Sequence, residues 1–247
     1  MENKKIKEQY KHQISYFGDE FSKVKDYYLE PWQETYVERM KSYLLDKNYK
    51  NKTLIDIGTG LGYIAIEAAK LGLNVIACDL TAEALDNIER YKKKFNLSNI
   101  KLIECRAEKI PLRNQSVDYI VSNAVLEHIP EEEKAIKEWK RILKKNGKMM
   151  ITVPIKYKFL LPLLVPIAFL YDKRIGHLRR YDLIELKEKF RMRILKYIYS
   201  GHLKKFFGVL ISEVLRTKRL AKIIEEIESK EEKKRYGATN IVVFFKK

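Results

Sequence analysis

Between residues 53 and 154, short apolar runs alternate with stretches of helical period. TLIDI is an apolar run that ends in glycines, the pattern of a buried strand. GYIAIEAAKLG is helical and stops at Gly72. NVIACD is a second strand, and Thr81 is placed to cap a helix running through Phe95. IKLIEC and VDYIVSN read as the third and fourth strands. EEEKAIKEWKRILKKNG has acids in its first turn and bases in its last, the signature of a helix ending at Gly147. KMMITVP follows as the fifth strand. Strands alternating with helices predict an α/β fold, a doubly wound and mostly parallel sheet covered on both faces.

The flanks break this rhythm. Residues 1–50 read as a helical N-terminal cap rich in aromatics, among them Tyr10, Phe17, Phe21 and Trp32. Two readings stand for these rings: a cap over a ligand, or packing in the core. After Pro154 comes an almost wholly apolar run, residues 159–171, interrupted by Pro162 and Pro166. A short helix is predicted over 182–189, and MRILKYIYS reads as a strand. Apolar residues then recur at helical spacing over 203–234. ATNIVVFF closes the chain as a strand placed antiparallel beside the fifth. The expected organisation is a cap over 1–50 and one domain over 51–247, with an insertion near 155–190.

Charge changes the picture. The formal net charge is +17. Residues 155–247 hold 23 Lys and Arg against 10 Asp and Glu, so most of the excess lies in the last third, beside the apolar run. Such an excess suits an anionic partner, either nucleic acid or an anionic lipid surface. A solvated lysine-rich face is the plainer reading. The opening MENKKIKEQYKHQ is charged, so no cleaved leader is expected. The run 159–171 is too short to span a bilayer, which needs about 20 apolar residues. Cys78 and Cys105 have no metal-like spacing, and reduced thiols in a cytoplasm are expected. No metal is expected.

The candidate chemistry begins where TLIDI meets Gly58-Thr59-Gly60-Leu61-Gly62. Strand, glycine turn and helix is where α/β sheets bind ligands. The glycines follow G-x-G-x-G, whereas a dinucleotide fingerprint would place its third glycine at Tyr63. Asp79 ends the second strand, where a carboxylate can accept from ribose hydroxyls. With these features, LIDIGTGLG and VIACDL resemble the first two motifs of the class I S-adenosylmethionine-dependent methyltransferases. CRAEKIPLRNQSVDYIVSNAVLEHIP and EWKRILKKNGKMMITVP are similar to that family's later stretches. LEHIP and GHLRRY resemble the type 11 group, which includes the ubiquinone- and menaquinone-biosynthesis methyltransferases. The resemblance covers about residues 50–181. It implies a Rossmann-like sheet of seven strands with the last antiparallel.

The resemblance also implies roles. Asp56 would orient the loop and help hold the methionine ammonium. Gly58, Thr59 and Gly60 would pass beneath the cofactor. Asp79 would bind the ribose and Leu80 would pack on the adenine. Ala107 and Glu108 would lie at the adenine edge, and Asn123 at the methionine end. One position departs from the family. The residue before Ala107 is usually Asp or Asn, which can accept from the adenine amino group. Arg106 stands there and cannot accept a hydrogen bond.

Methyl transfer is an in-line displacement, so alignment and exclusion of water dominate. A base is needed only for a poor nucleophile. Glu127 and His128 follow the fourth strand, and His128 is the base candidate because imidazole titrates near neutrality. A packing role for His128 is the alternative. His177 and Tyr181, with Arg179 and Arg180, are candidates for the acceptor end; a structural elbow is the alternative. For residues 159–171 three readings stand: core, a lid over an apolar acceptor, or a segment dipping into a membrane. The expected function is methyl transfer to a small apolar acceptor of prenyl, quinone-like or lipid-linked kind, at the inner face of a membrane. Two rivals are an RNA methyltransferase, which would use the basic charge on phosphates, and a cofactor-binding protein without turnover.

Overall fold

Seven strands form one sheet in the order β3-β2-β1-β4-β5-β7-β6 in this computed structural model. It describes residues 4–202, 223, 226, 228 and 230–247. β1 (Thr53–Ile57) pairs in parallel with β2 (Asn74–Asp79) on one side and with β4 (Val117–Asn123) on the other. β3 (Ile100–Glu104) extends the sheet beyond β2, and β5 (Leu143–Pro154) extends it beyond β4. All these contacts are parallel. β7 (Asn240–Lys246) runs antiparallel between β5 and β6 (Arg193–Ser200). The expected sheet is present, with the closing strand beside the fifth.

Burial on both faces explains why the central strands read as near-continuous apolar runs. Side chains alternate across a strand. Met149 and Ile151 therefore join one core with Trp139, Val243 and Phe245, while Met150 joins the other with Leu54, Val242 and Phe244. α3 (Tyr63–Lys70) and α4 (Ala82–Lys94) help cover the second face, and α5 (Glu132–Ile142) covers the first. The strand order reverses between β1 and β4. Their connections leave in opposite directions there, which opens a crevice at the strands' carboxyl ends.

Two boundaries differ from expectation. α5 ends at Ile142, five residues before Gly147, and Leu143 already pairs with Val117. The polar KKNG stretch extends the strand instead, tied down by backbone bonds between Gly147 and Lys247 and between Asn146 and Lys247. Thr81 does precede α4, but its hydroxyl makes no cap and donates to Asp79 instead.

The lead-in is helical. α1 (Lys4–Ser22) is followed by α2 (Pro31–Arg39) and a wider turn over Met40–Leu44. α1 lies along α4, where Asn87 donates to the Phe21 carbonyl (2.9 Å) and Arg90 donates to the carbonyls of Val24 and Lys25.

After β5 the apolar run forms α6 (Val165–Ile175), with Pro166 in its first turn, where a missing N–H costs nothing. α7 (Leu183–Phe190) follows, its N-terminus capped by Asp182. One face of the α6 region is core: Leu164 and Ile175 are buried. The other is bare. Leu163 is 79% exposed, Ile167 54%, Phe169 58% and Leu170 67%, so the run is not simply core. The helix expected over 203–234 lies mainly outside the described residues. No helix among the described residues is long and apolar enough to cross a membrane.

Candidate functional site

The crevice holds a cavity of about 330 Å³, within the usual range of about 300–1,000 Å³ for small-molecule sites. Ten of the sequence-predicted residues line it: Asp56, Gly58, Thr59, Gly60, Asp79, Leu80, Ala107, Glu108, Asn123 and His128. His177 and Tyr181 do not.

The glycine turn is held by backbone bonds from Gly58 and Thr59 to the Cys78 carbonyl. Gly58 has φ +67°, and a Cβ there would come within 2.3 Å of Val125 Cγ2. Both conformation and space therefore require glycine. The two acids sit at the ends of β1 and β2. Asp56 accepts from the Thr59 hydroxyl at 2.8 Å. Burial pushes its carboxyl up to about 7, and the nearby Asp79 adds to the rise. Asp79 accepts from the Gly60 N–H (2.9 Å) through one oxygen and from Leu80 and Thr81 through the other. Burial raises its carboxyl as well. The Gly60 bond leaves Asp79 Oδ2 a second lone pair, and Asp79 lines the cavity.

Across the cavity, Ala107 uses its carbonyl to accept from the Trp139 indole N–H at 3.0 Å. Glu108 accepts from the Tyr10 hydroxyl. Arg106 lays its guanidinium over the Tyr10 ring, 4.1 Å from the centroid. At the far end Asn123 donates to the Tyr63 hydroxyl at 2.5 Å.

The roof comes from the lead-in. Tyr10, Gln13, Phe17, Phe21 and Trp32 all line the cavity. Phe21 lies over the glycine turn, 3.3 Å from where a Gly60 Cβ would stand. Gln9 and Gln13 donate to the His128 carbonyl, and Gln9 also to that of Gly176. These glutamines, like Tyr63, carried no signal in the sequence. The glutamines act through contacts across more than a hundred residues, and Tyr63 through one across 60.

His128 is buried, with Phe17 edge-on to its ring. Burial, with His177 beside it, holds its imidazole well down, at about 3. It is neutral at physiological pH and a weaker base than its residue type suggested. The His177 ring lies behind it at 4.6 Å. Tyr181 is fully buried in the core, and its hydroxyl donates to Glu132 at 2.7 Å. Burial and that carboxylate push the phenol far above its usual range. Arg179 donates to the carbonyls of Ile129 and Pro130, and Arg180 grips Asp172. Both arginines hold the elbow after α6 together. Cys78 and Cys105 also line the cavity, joined as a disulfide where reduced thiols were expected. The ends of the paired strands β2 and β3 bring their Cα atoms to 6.3 Å.

A methyltransferase domain family matches residues 55–151. The ubiquinone/menaquinone biosynthesis C-methyltransferase UbiE of Rickettsia prowazekii is 33% identical over 107 residues, 40% of this chain and 43% of that protein. The chain thus matches less than half the length of this relative. Among solved structures, geranyl diphosphate C-methyltransferase from Streptomyces coelicolor superposes with a TM-score of 0.70 at 13% identity, over 96% of this chain and 97% of the other. The YcgJ protein of Bacillus subtilis does so with a TM-score of 0.61 at 16% identity, over 87% and 98%. At such identities these two structures establish the fold. The cavity suits S-adenosylmethionine, with a glycine cradle, an acid at each strand end and an aromatic roof. Fold, cavity and family match agree: residues 55–151 match a methyltransferase domain, on a sheet of the kind seen in S-adenosylmethionine-dependent methyltransferases.

Proposed function

We propose that this protein transfers a methyl group from S-adenosylmethionine to a small apolar acceptor of the prenyl, quinone-like or lipid-linked kind, met at an anionic membrane surface. One observation carries the reading: the acid-and-glycine cavity lies under an apolar roof, and the same chain bares an apolar helix face flanked by basic residues. Exposed Leu163, Ile167, Phe169 and Leu170 adjoin exposed Lys158, Lys173 and Arg174. Apolar residues beside cations suit the boundary between acyl chains and anionic headgroups. The relatives lend support. UbiE is named for ubiquinone and menaquinone biosynthesis, and the Streptomyces structure holds geranyl diphosphate.

When bound, S-adenosylmethionine supplies an activated sulfonium methyl. The remaining work falls to the chain. Asp79 Oδ2 would accept from a ribose hydroxyl, and Leu80 would pack on the adenine beside Ala107 and Glu108. Ionised Asp56 would oppose the methionine ammonium. Gly58, Thr59 and Gly60 let the backbone pass close beneath it. Asn123, fixed by Tyr63, and His128 mark the methyl end. Phe17, Phe21 and Trp32 exclude water, which protects the sulfonium and holds the reactants in line. The residue 1–50 segment thereby acts as a cap. His177 serves the acceptor end through His128, and Tyr181 supports the elbow.

The test is to incubate purified protein with methyl-labelled S-adenosylmethionine and a cell extract, then partition the products. Label in the organic phase is expected. Label in RNA or in aqueous metabolites would overturn the acceptor assignment.

A further inference from the structure

Behind the methyl end of the cavity sits a group of side chains that methyl transfer does not explain. Glu127 is fully buried, and neither of its carboxylate oxygens has a hydrogen-bond partner outside its own residue. His128 Nδ1 is buried and likewise lacks a partner. His177 Nε2 stands 3.6 Å from Glu127 Oε1. One donor atom from each of the three lies within 4.8 Å of the others. A buried carboxylate and a buried imidazole nitrogen, both without partners, are costly unless something joins them.

The surroundings fix which atoms are available. His177 Nδ1 lies 2.8 Å from Asp172 Oδ1. Asp172 is held as a carboxylate by the Arg180 guanidinium through two bonds and accepts from Tyr157. Nδ1 therefore carries the proton, and the lone pair of Nε2 points toward Glu127. A carboxylate behind an imidazole is the arrangement that orients metal-bound histidines. The His128 imidazole bonds to the Gly176 backbone, and Nδ1 is its ring nitrogen left without a partner.

We propose that Glu127, His128 and His177 bind one divalent transition-metal ion, of the zinc or iron(II) class. Two imidazole nitrogens and one carboxylate oxygen are a donor set for such ions rather than for magnesium or calcium. With ligand bonds of about 2.1 Å, a 3.6 Å separation subtends about 120° at the ion, near a tetrahedral angle. Three protein donors leave a position open. Because His128 lines the cavity, the ion stands at its wall, at the end assigned to the acceptor. Resting on the methyl-transfer reading, the open position would take an oxygen of the acceptor, such as a hydroxyl or a phosphate, and would favour its ionised form. Metal binding itself does not depend on that reading.

The sequence concealed this group because His177 lies 49 positions after His128. The elbow after α6 returns it to the loop after β4, where the Leu178 N–H donates to the Glu127 carbonyl.

The test uses the full chain, stripped with a chelator and titrated with Zn²⁺ or Co²⁺. The proposal predicts one equivalent bound, a visible Co²⁺ spectrum characteristic of nitrogen ligation, and a metal-dependent rise in the thermal midpoint. Glu127→Gln and His177→Ala each weaken binding at least about 100-fold. Without metal, Glu127→Gln unfolds no earlier than the parent, since it removes an unpaired buried acid. That variant keeps the test open if His177→Ala fails to fold. Absence of uptake by folded protein, or uptake unchanged in the folded Glu127→Gln variant, overturns the proposal. S-adenosylmethionine affinity measured on the same samples separates this failure from failure of the methyltransferase reading.

Discussion

The buried acid Asp56 makes cofactor affinity depend on pH in a predictable direction. Its carboxyl is pushed up to about 7 by burial and by Asp79, far above the usual value near 3.9. The sign follows from the raised value. Between about 4 and 7 the folded protein holds a proton that the unfolded chain has released. The stability this contributes is full below pH 4 and is lost as pH rises through 7. A cationic ammonium prefers the ionised carboxylate, so cofactor binding has the opposite preference. With a free-protein value near 7, about one Asp56 in eleven is ionised at pH 6 and about ten in eleven at pH 8. The dissociation constant for S-adenosylmethionine should therefore fall about tenfold from pH 6 to pH 8, or roughly 1.4 kcal/mol. Calorimetric titration of wild type and Asp56→Asn at several pH values measures this. The variant should bind more weakly at pH 8 and lose most of the slope. A wild-type change under twofold, or an equal slope in the variant, would exclude Asp56 as the titrating group.

Other expectations are independent of that titration. Gly58→Ala places a methyl group within 2.3 Å of Val125 at φ +67°; left-handed strain of about 1–2 kcal/mol adds to the clash, so thermal denaturation should show a loss of at least about 2 kcal/mol, and cofactor binding should fall. Leu163→Ser with Leu170→Ser removes two exposed apolar side chains, each worth about 1–2 kcal/mol if seated in lipid; co-sedimentation with anionic vesicles should drop at least tenfold while cofactor affinity is unchanged. Tyr181→Phe deletes the bond to Glu132 and should cost about 1–2 kcal/mol of stability, with turnover retained; loss of turnover in folded protein would restore Tyr181 to the chemistry.

The sheet was legible because its central strands are buried on both faces and its helices carry end signals. TLIDI before the glycines and NVIACD before Thr81 mark strand ends through composition alone. The same local signals located Asp56, Gly58 and Asp79. What escaped depends on contacts between distant segments. KKNG reads as a helix end locally, yet pairing with the chain terminus makes it strand. Tyr181 reads as a site residue beside His177, yet the bridge between Ile155 and Tyr181 turns it into the core. Cys78 and Cys105 share no recognisable spacing, and only parallel pairing of β2 with β3 brings them together. The neutral state of His128 follows from burial beneath Phe17 and beside His177, which no residue count near LEHIP could show.

The most direct measurement is the position of the bound cofactor in a crystal structure of the protein with S-adenosylhomocysteine. The ribose is expected at Asp79, the adenine between Leu80 and Ala107, and the sulfur directed to Asn123 and His128 beneath Phe17 and Phe21. Density elsewhere, or a sulfur turned away from His128, would contradict this placement.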